Sequence, residues 1–141
     1  MSAQDNAVLA RRMYQLFSDD QFDDVLPLTT EDIEAVLIPF GQTFHGREGF
    51  VNFMMGFKSA FPNLRIDITN QVATEDQVVN EFIARGTHTG PLQTPAGEIP
   101  PTGRMVDFVV CEVLRIKDGK VASLHNYQDA ASLMRQLGLL A

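Results

Sequence analysis

The chain has 141 residues, 18 of them acidic against 11 Lys and Arg, for a formal net charge of −7, with 45% hydrophobic and 21% charged residues. That balance suits one folded domain spanning residues 1–141 and excludes a disordered chain, while the negative charge excludes the electrostatic footprint of a nucleic-acid or anionic-membrane binder. No stretch approaches the roughly 18 consecutive apolar residues of a membrane span, Met1 to Tyr14 lacks a signal-like apolar core, and the single Cys111 can form no internal disulfide. The expectation is a soluble, cytoplasmic protein.

Ser2 followed by Asp5 marks a helix start, and Leu9, Met13, Leu16 and Phe17 recur at helical spacing, with Tyr14 at the edge of the stripe. Residues 21–28 predict a second, short helix ending near Pro27. Residues 34–44 read as a strand in which Pro39 implies an edge or a bulge. Phe50, Phe53, Met54, Phe57, Ala60 and Phe61 predict a helix stopped by Pro62. The rest is mostly strand: 64–74 and 78–89 joined by a turn at Glu75-Asp76, then 105–116 and 121–128 joined at Asp118-Gly119, a type I′ hairpin signal. Between Thr89 and Arg104 lies a loop with four prolines, long enough to be a functional lid or an edge crossing. Asp129 caps a last helix that runs through Leu137, with Gly138 in the left-handed closing position. Helices, then strands, then a short helix is an α+β order.

Glu112 is the most informative residue, because it sits among Phe108, Val109, Val110, Cys111, Val113 and Leu114. Strand alternation places it on one face with Phe108, Val110 and Leu114. If that face is inward, desolvation raises its pKa and equips it for proton transfer; the alternative is a structural ion pair with Arg85. Asn126 falls at nearly the same distance from the Asp118-Gly119 turn as Glu112, so the two are candidate cross-strand neighbours. An amide there donates to an oxyanion but cannot act as a base; otherwise it is an ordinary strand-end Asn. His45, His88 and His125 show no metal-ligand spacing, and each is expected at a strand end with backbone partners; His88, just before the proline-rich loop, is the one to test first. Phe50, Phe53 and Phe57 are first a core stripe and second a pocket wall, and Tyr14 is placed to point its hydroxyl into a cavity. Phosphate-binding glycine loops, nucleophile elbows and paired cysteines are absent, which disfavours a nucleotide or metal enzyme.

Gly86-Thr87-His88-Thr89-Gly90, Ile99-Pro100-Pro101-Thr102-Gly103-Arg104, Arg115 to Lys120 and Leu133-Met134-Arg135-Gln136-Leu137-Gly138 together resemble the SnoaL-like polyketide cyclase (ester cyclase) family of the nuclear transport factor 2-like superfamily. The resemblance implies a cone-shaped α+β fold, with a curved antiparallel sheet packed against N-terminal helices around a deep pocket, usually in a homodimer or larger homo-oligomer. It also implies ring closure by intramolecular aldol condensation with neither cofactor nor metal, in which an aspartate on the final strand takes a proton α to a carbonyl. Counted from Asp118-Gly119-Lys120, that aspartate position falls on Asn126, and the family's supporting histidine position falls on Glu112. Acid and polar partner have then exchanged strands, leaving Glu112 as base and Asn126 as enolate donor, with His88 a further catalytic candidate. Tyr14, Phe57, Arg85, Phe108, Val110 and Leu124 are the expected substrate-binding residues, and the expected ligand is a small apolar carbonyl compound. The other reading is a non-catalytic ligand-binding or assembly domain, to be told apart by whether Glu112 faces an open cavity or a closed pair with Arg85.

Overall fold

In the computed structural model, which describes residues 2–140, Ser2 accepts a hydrogen bond from the Asp5 N–H while the Asp5 carboxylate accepts one from the Ser2 N–H. This reciprocal cap starts α1 (Ala3–Ser18), whose Met13, Tyr14 and Leu16 are buried. A single-turn helix, α2 (Phe22–Val25), and a 3-10 turn at Leu26–Leu28 lead into β1 (Thr29–Leu37). Pro39 lies in a second 3-10 turn, Ile38–Phe40, so the stretch expected as one strand is two, with β2 (Gln42–His45) folding back antiparallel on β1. The proline cannot donate to a ladder, and Gly41 in the left-handed region (φ 63°) completes the reversal.

Helix α3 (Gly46–Ala60) buries Phe50, Phe53 and Met54. Strands β3 (Arg65–Ala73) and β4 (Gln77–Thr87) follow as an antiparallel pair. The proline-rich segment is a small separate hairpin, β5 (Leu92–Thr94) with β6 (Gly97–Ile99). At its root the N–H groups of Thr89 and Gly90 both donate to the Ala60 carbonyl at 3.1 Å. A Cβ on Gly90 would lie 1.9 Å from the Ser59 carbonyl oxygen, so only glycine permits this approach. Strands β7 (Met105–Lys117) and β8 (Lys120–Gln128) form the long hairpin, with Asp118 (φ 51°) and Gly119 (φ 74°) both left-handed, as a type I′ turn requires. Asp129 accepts from the Ser132 N–H to cap α4 (Ala130–Gln136).

The six-stranded sheet runs β2-β1-β8-β7-β4-β3. Its pairs are antiparallel except one: β1 and β8 lie parallel, joining strands from the two ends of the chain through a crossover that includes the other strands. Register shifts in β1, β3 and β8 mark bulges, which bend strands and bring the sheet into its curve. Alternation is clean along β7, where Val106, Phe108, Val110, Glu112 and Leu114 point inward, and along β4, where Val78, Asn80, Phe82 and Ala84 do. These inward faces and α1 and α3 share one core, and the site is a gap within it. No helix among the described residues is long and apolar enough to cross a membrane.

Candidate active site

Between the concave face of the sheet and helices α1 and α3 lies a cavity whose non-atom space, counting its open mouth, is about 540 Å³. Its wall is overwhelmingly apolar: Phe50, Phe53 and Phe57 from α3, Phe82 and Ala84 from β4, Phe108 and Val110 from β7. Four lining residues bring polar groups: Tyr14, Glu112, Asn126 and Gln128. A few convergent polar groups in an apolar hollow is the usual make-up of a small-molecule site.

The four form one connected chain. Glu112 is 5% exposed; its Oε1 accepts from the Tyr14 hydroxyl at 2.9 Å and its Oε2 from the Asn126 amide at 2.7 Å. Asn126 lies directly across from Glu112 on β8, as their equal spacing from the turn predicts. Gln128, the next inward position on β8, donates through Nε2 to Asn126 Oδ1 at 3.3 Å. On the other side of Glu112, Asn80 of β4 is its direct cross-strand neighbour and is fully buried. The Asn80 carbonyl oxygen accepts from Gln71 at 2.9 Å, which turns its NH₂ group away from Gln71.

Burial pushes the Glu112 carboxyl up to about 7 from an ordinary 4.5, with the hydrogen bonds from Asn126 and Tyr14 pulling the other way. A carboxyl that titrates near neutrality in an apolar hollow is suited to both taking and returning a proton. Burial first, then the neighbouring Glu112 charge and hydrogen bond, hold the Tyr14 phenol well above its usual value, with Asn80 partly offsetting them. Tyr14 therefore stays a neutral donor, and its ring packs on Phe82 with centroids 5.2 Å apart.

Five of the six expected substrate-binding residues, Tyr14, Phe57, Phe108, Val110 and Leu124, line the cavity together with Glu112 and Asn126. Arg85 does not. It lies one residue past the inward-facing Ala84, so its side chain is on the outer face, 51% exposed and paired with Asp67 at 3.0 Å. The ion pair of Glu112 with Arg85 is thus not formed. His88 is also outside the cavity lining. It is buried beyond the end of β4, where Nδ1 accepts from the Thr102 N–H at 3.2 Å and lies 3.0 Å from the Thr102 hydroxyl, and its ring faces Phe61. Burial lowers its pKa, and its observed contacts fix the root of the β5–β6 hairpin. His45 is an exposed residue 3.5 Å from Glu34, and His125 lies within β8 rather than at its end. No residue of the β5–β6 hairpin lines the cavity.

Asn80 and Gln128 were not expected at the site. The signal for Asn80 was present, since it alternates with Val78 and Phe82 as Glu112 does with Val110 and Leu114.

The sequence matches the family model described as SnoaL-like polyketide cyclase over residues 7–137. The chain belongs to that family. Among solved structures it is similar to a SnoaL-like protein from Jannaschia sp. CCS1, with a TM-score of 0.87, 22% identity, and coverage of 99% of this chain and 95% of that one. It is similar to AclR from Streptomyces galilaeus, proposed to be a hydroxylase, at TM-score 0.84 and 24% identity, covering 99% and 89%. It is also similar to IdmH from Streptomyces antibioticus, proposed to be a polyketide cyclase, at TM-score 0.79 and 23% identity, covering 94% and 98%. These likenesses establish the cone-shaped fold of the nuclear transport factor 2-like type. No match is found among curated proteins.

Proposed function

We propose that this SnoaL-like protein is a cofactor-independent cyclase- or isomerase-type enzyme that removes a proton α to the carbonyl of an apolar compound, with Glu112 as the base. The observation that carries this reading is a buried carboxyl, titrating at about 7, in the wall of an open apolar cavity with its two oxygens held by Tyr14 and Asn126. Ionised Glu112 takes the proton from carbon, and the bonding pair moves through the enol system onto the carbonyl oxygen. As the carboxylate is neutralised, its hold on the Tyr14 O–H and the Asn126 N–H weakens, and these donors become free for the enolate oxygen. Charge thus passes between two oxygens served by the same donors. Arg85 lies on the outer face, paired with Asp67, so the closed Glu112–Arg85 pair expected of a non-catalytic domain is not present.

The direct test is deuterium exchange at the methyl group of an aryl methyl ketone, followed by proton NMR. The protein should accelerate exchange, and Glu112→Gln should lose about 10²- to 10⁴-fold of that rate. Equal rates for the two proteins would overturn the assignment. We further infer that the protein acts as a homodimer through the outer face of the sheet, where Val109 (55% exposed), two residues before Cys111 on β7, and Tyr127 (45%), opposite Cys111 on β8, are exposed.

A further inference from the structure

Five buried side-chain polar atoms lack a hydrogen-bond partner among the described residues: Asn6 Oδ1, Thr30 Oγ1, Asn80 Nδ2, His88 Nε2 and Gln128 Oε1. Only the last belongs to a residue that lines the cavity. The direction of the chain of amides decides that this atom is an oxygen. Ionised Glu112 offers only acceptors, so Asn126 must present its NH₂ group to Oε2 and its carbonyl oxygen away from it. That oxygen in turn requires the NH₂ group of Gln128. A turned-over Gln128 would set two carbonyl oxygens against each other, so the chain ends on Gln128 Oε1 as an unused acceptor. An acceptor buried without a partner is costly, and a ligand donor that reaches it recovers that cost. The terminal amide torsion of Gln is broad, so the oxygen can turn to meet a ligand donor.

We propose that Gln128 is a specificity-determining residue: its Oε1 accepts a hydrogen bond from a hydroxyl group on the ligand, whose carbonyl lies toward Glu112. The proposal rests on reading the cavity as the site of a carbonyl ligand. From Glu112 Oε2 the chain runs 2.7 Å to the Asn126 NH₂ group, through that amide, and 3.3 Å from its oxygen to the Gln128 NH₂ group, so Gln128 Oε1 lies two hydrogen bonds and two amide groups beyond the carboxylate. A ligand that spans this chain carries its hydroxyl group across a ring from its ketone. The cavity, lined by Phe53, Phe57, Phe82 and Phe108, provides aromatic walls for such a ring.

The test compares para-(hydroxymethyl)acetophenone with its methyl ether, which keeps the ketone and removes only the donor. Dissociation constants are measured by isothermal titration calorimetry at about pH 8, above the value that burial assigns to Glu112. The unmodified protein should bind the alcohol about tenfold more tightly than the ether. Gln128→Leu should bring the two constants together. In Glu112→Gln the new amide can donate to Asn126 Oδ1, which lets each amide of the chain turn over and end on an N–H. The preference for the alcohol should then vanish, a result that a merely structural Gln128 would not give. Equal affinities in the unmodified protein, binding of neither compound, or a preference that survives Gln128→Leu would overturn the proposal. The same ketone reports exchange at its methyl group, so the two readings separate. A donor preference without exchange sinks the catalytic assignment and leaves Gln128 standing, and exchange without a preference does the reverse.

Discussion

Replacing Glu112 by Gln should make the folded protein more stable at alkaline pH, and the size of the gain follows from the burial of the carboxyl. In the unfolded chain this group titrates near the ordinary 4.5, and in the folded chain at about 7. Between those values the folded chain keeps a proton that the unfolded chain has released. The stability of the native protein is therefore full below the lower value and is lost progressively as pH rises through the upper one. At about 1.4 kcal/mol per pKa unit, the loss is ~3 kcal/mol. A glutamine cannot ionise and escapes it, while every other titrating group is common to both proteins. Urea denaturation followed by far-UV circular dichroism suits the measurement, since the chain has no Trp to report by fluorescence. The variant's stability relative to the native protein should increase by ~3 kcal/mol between about pH 4 and about pH 8.5, a difference in Tm on the order of 10 °C. Parallel pH curves for the two proteins would refute the burial of a titrating Glu112 and the proton-transfer role built on it.

Asn126→Asp restores the aspartate expected at that position but sets a second carboxyl against Glu112, in place of a donor at 2.7 Å. Two carboxyls in one buried pair raise the upper apparent pKa of the pair, so the pH–rate profile should move to higher pH and stability near pH 8 should fall by about 2 kcal/mol or more. An unchanged profile would show that the two side chains do not interact. Val109→Lys with Tyr127→Lys puts charge on the outer face of the sheet; under the proposed dimer, light scattering should give a dimer mass for the native protein and a monomer mass for the variant. A mass that does not change refutes the outer face as the interface.

Local signals carried most of the fold. The Asp118-Gly119 turn set the register of the long hairpin, and that register placed Asn126 opposite Glu112. The Ser2/Asp5 cap and the aromatic spacing of α3 were equally local. What was not legible is non-local or depends on strand parity. The parallel pairing of β1 with β8 joins residues far apart in the chain, Thr29 with Val121 and Leu37 with Asn126, and no short-range pattern announces it. Pro39 signalled an interruption, yet whether it makes a bulge or a reversal depends on Gly41 being free to turn left-handed. Charge complementarity suggests Arg85 as a partner of Glu112, but alternation overrides it: Phe82 and Ala84 point inward, so Arg85 points out. His88 keeps the inward parity of Phe82 and Ala84 and is buried, but β4 ends at Thr87, so it lies beyond the cavity and supports the small hairpin instead. Gln128 reads as a strand-end residue until its neighbour's amide is seen to need it.

The proposed base Glu112, its amide donor Asn126 and the proposed specificity residue Gln128 all lie on β7 and β8, within 17 consecutive positions closed by a self-sufficient turn. Chemistry concentrated in this way is a cassette. Exchanging residues 112–128 between relatives would transplant reactive groups together with the register that aligns them, while α1, α3 and the rest of the sheet continue to supply the hollow. Tyr14 is the one member of the network contributed from elsewhere, so it is the residue a transplanted hairpin would have to find in its new host. A fold arranged this way can change its reaction by editing one hairpin and change the size of its substrate by editing the helices, with little interference between the two.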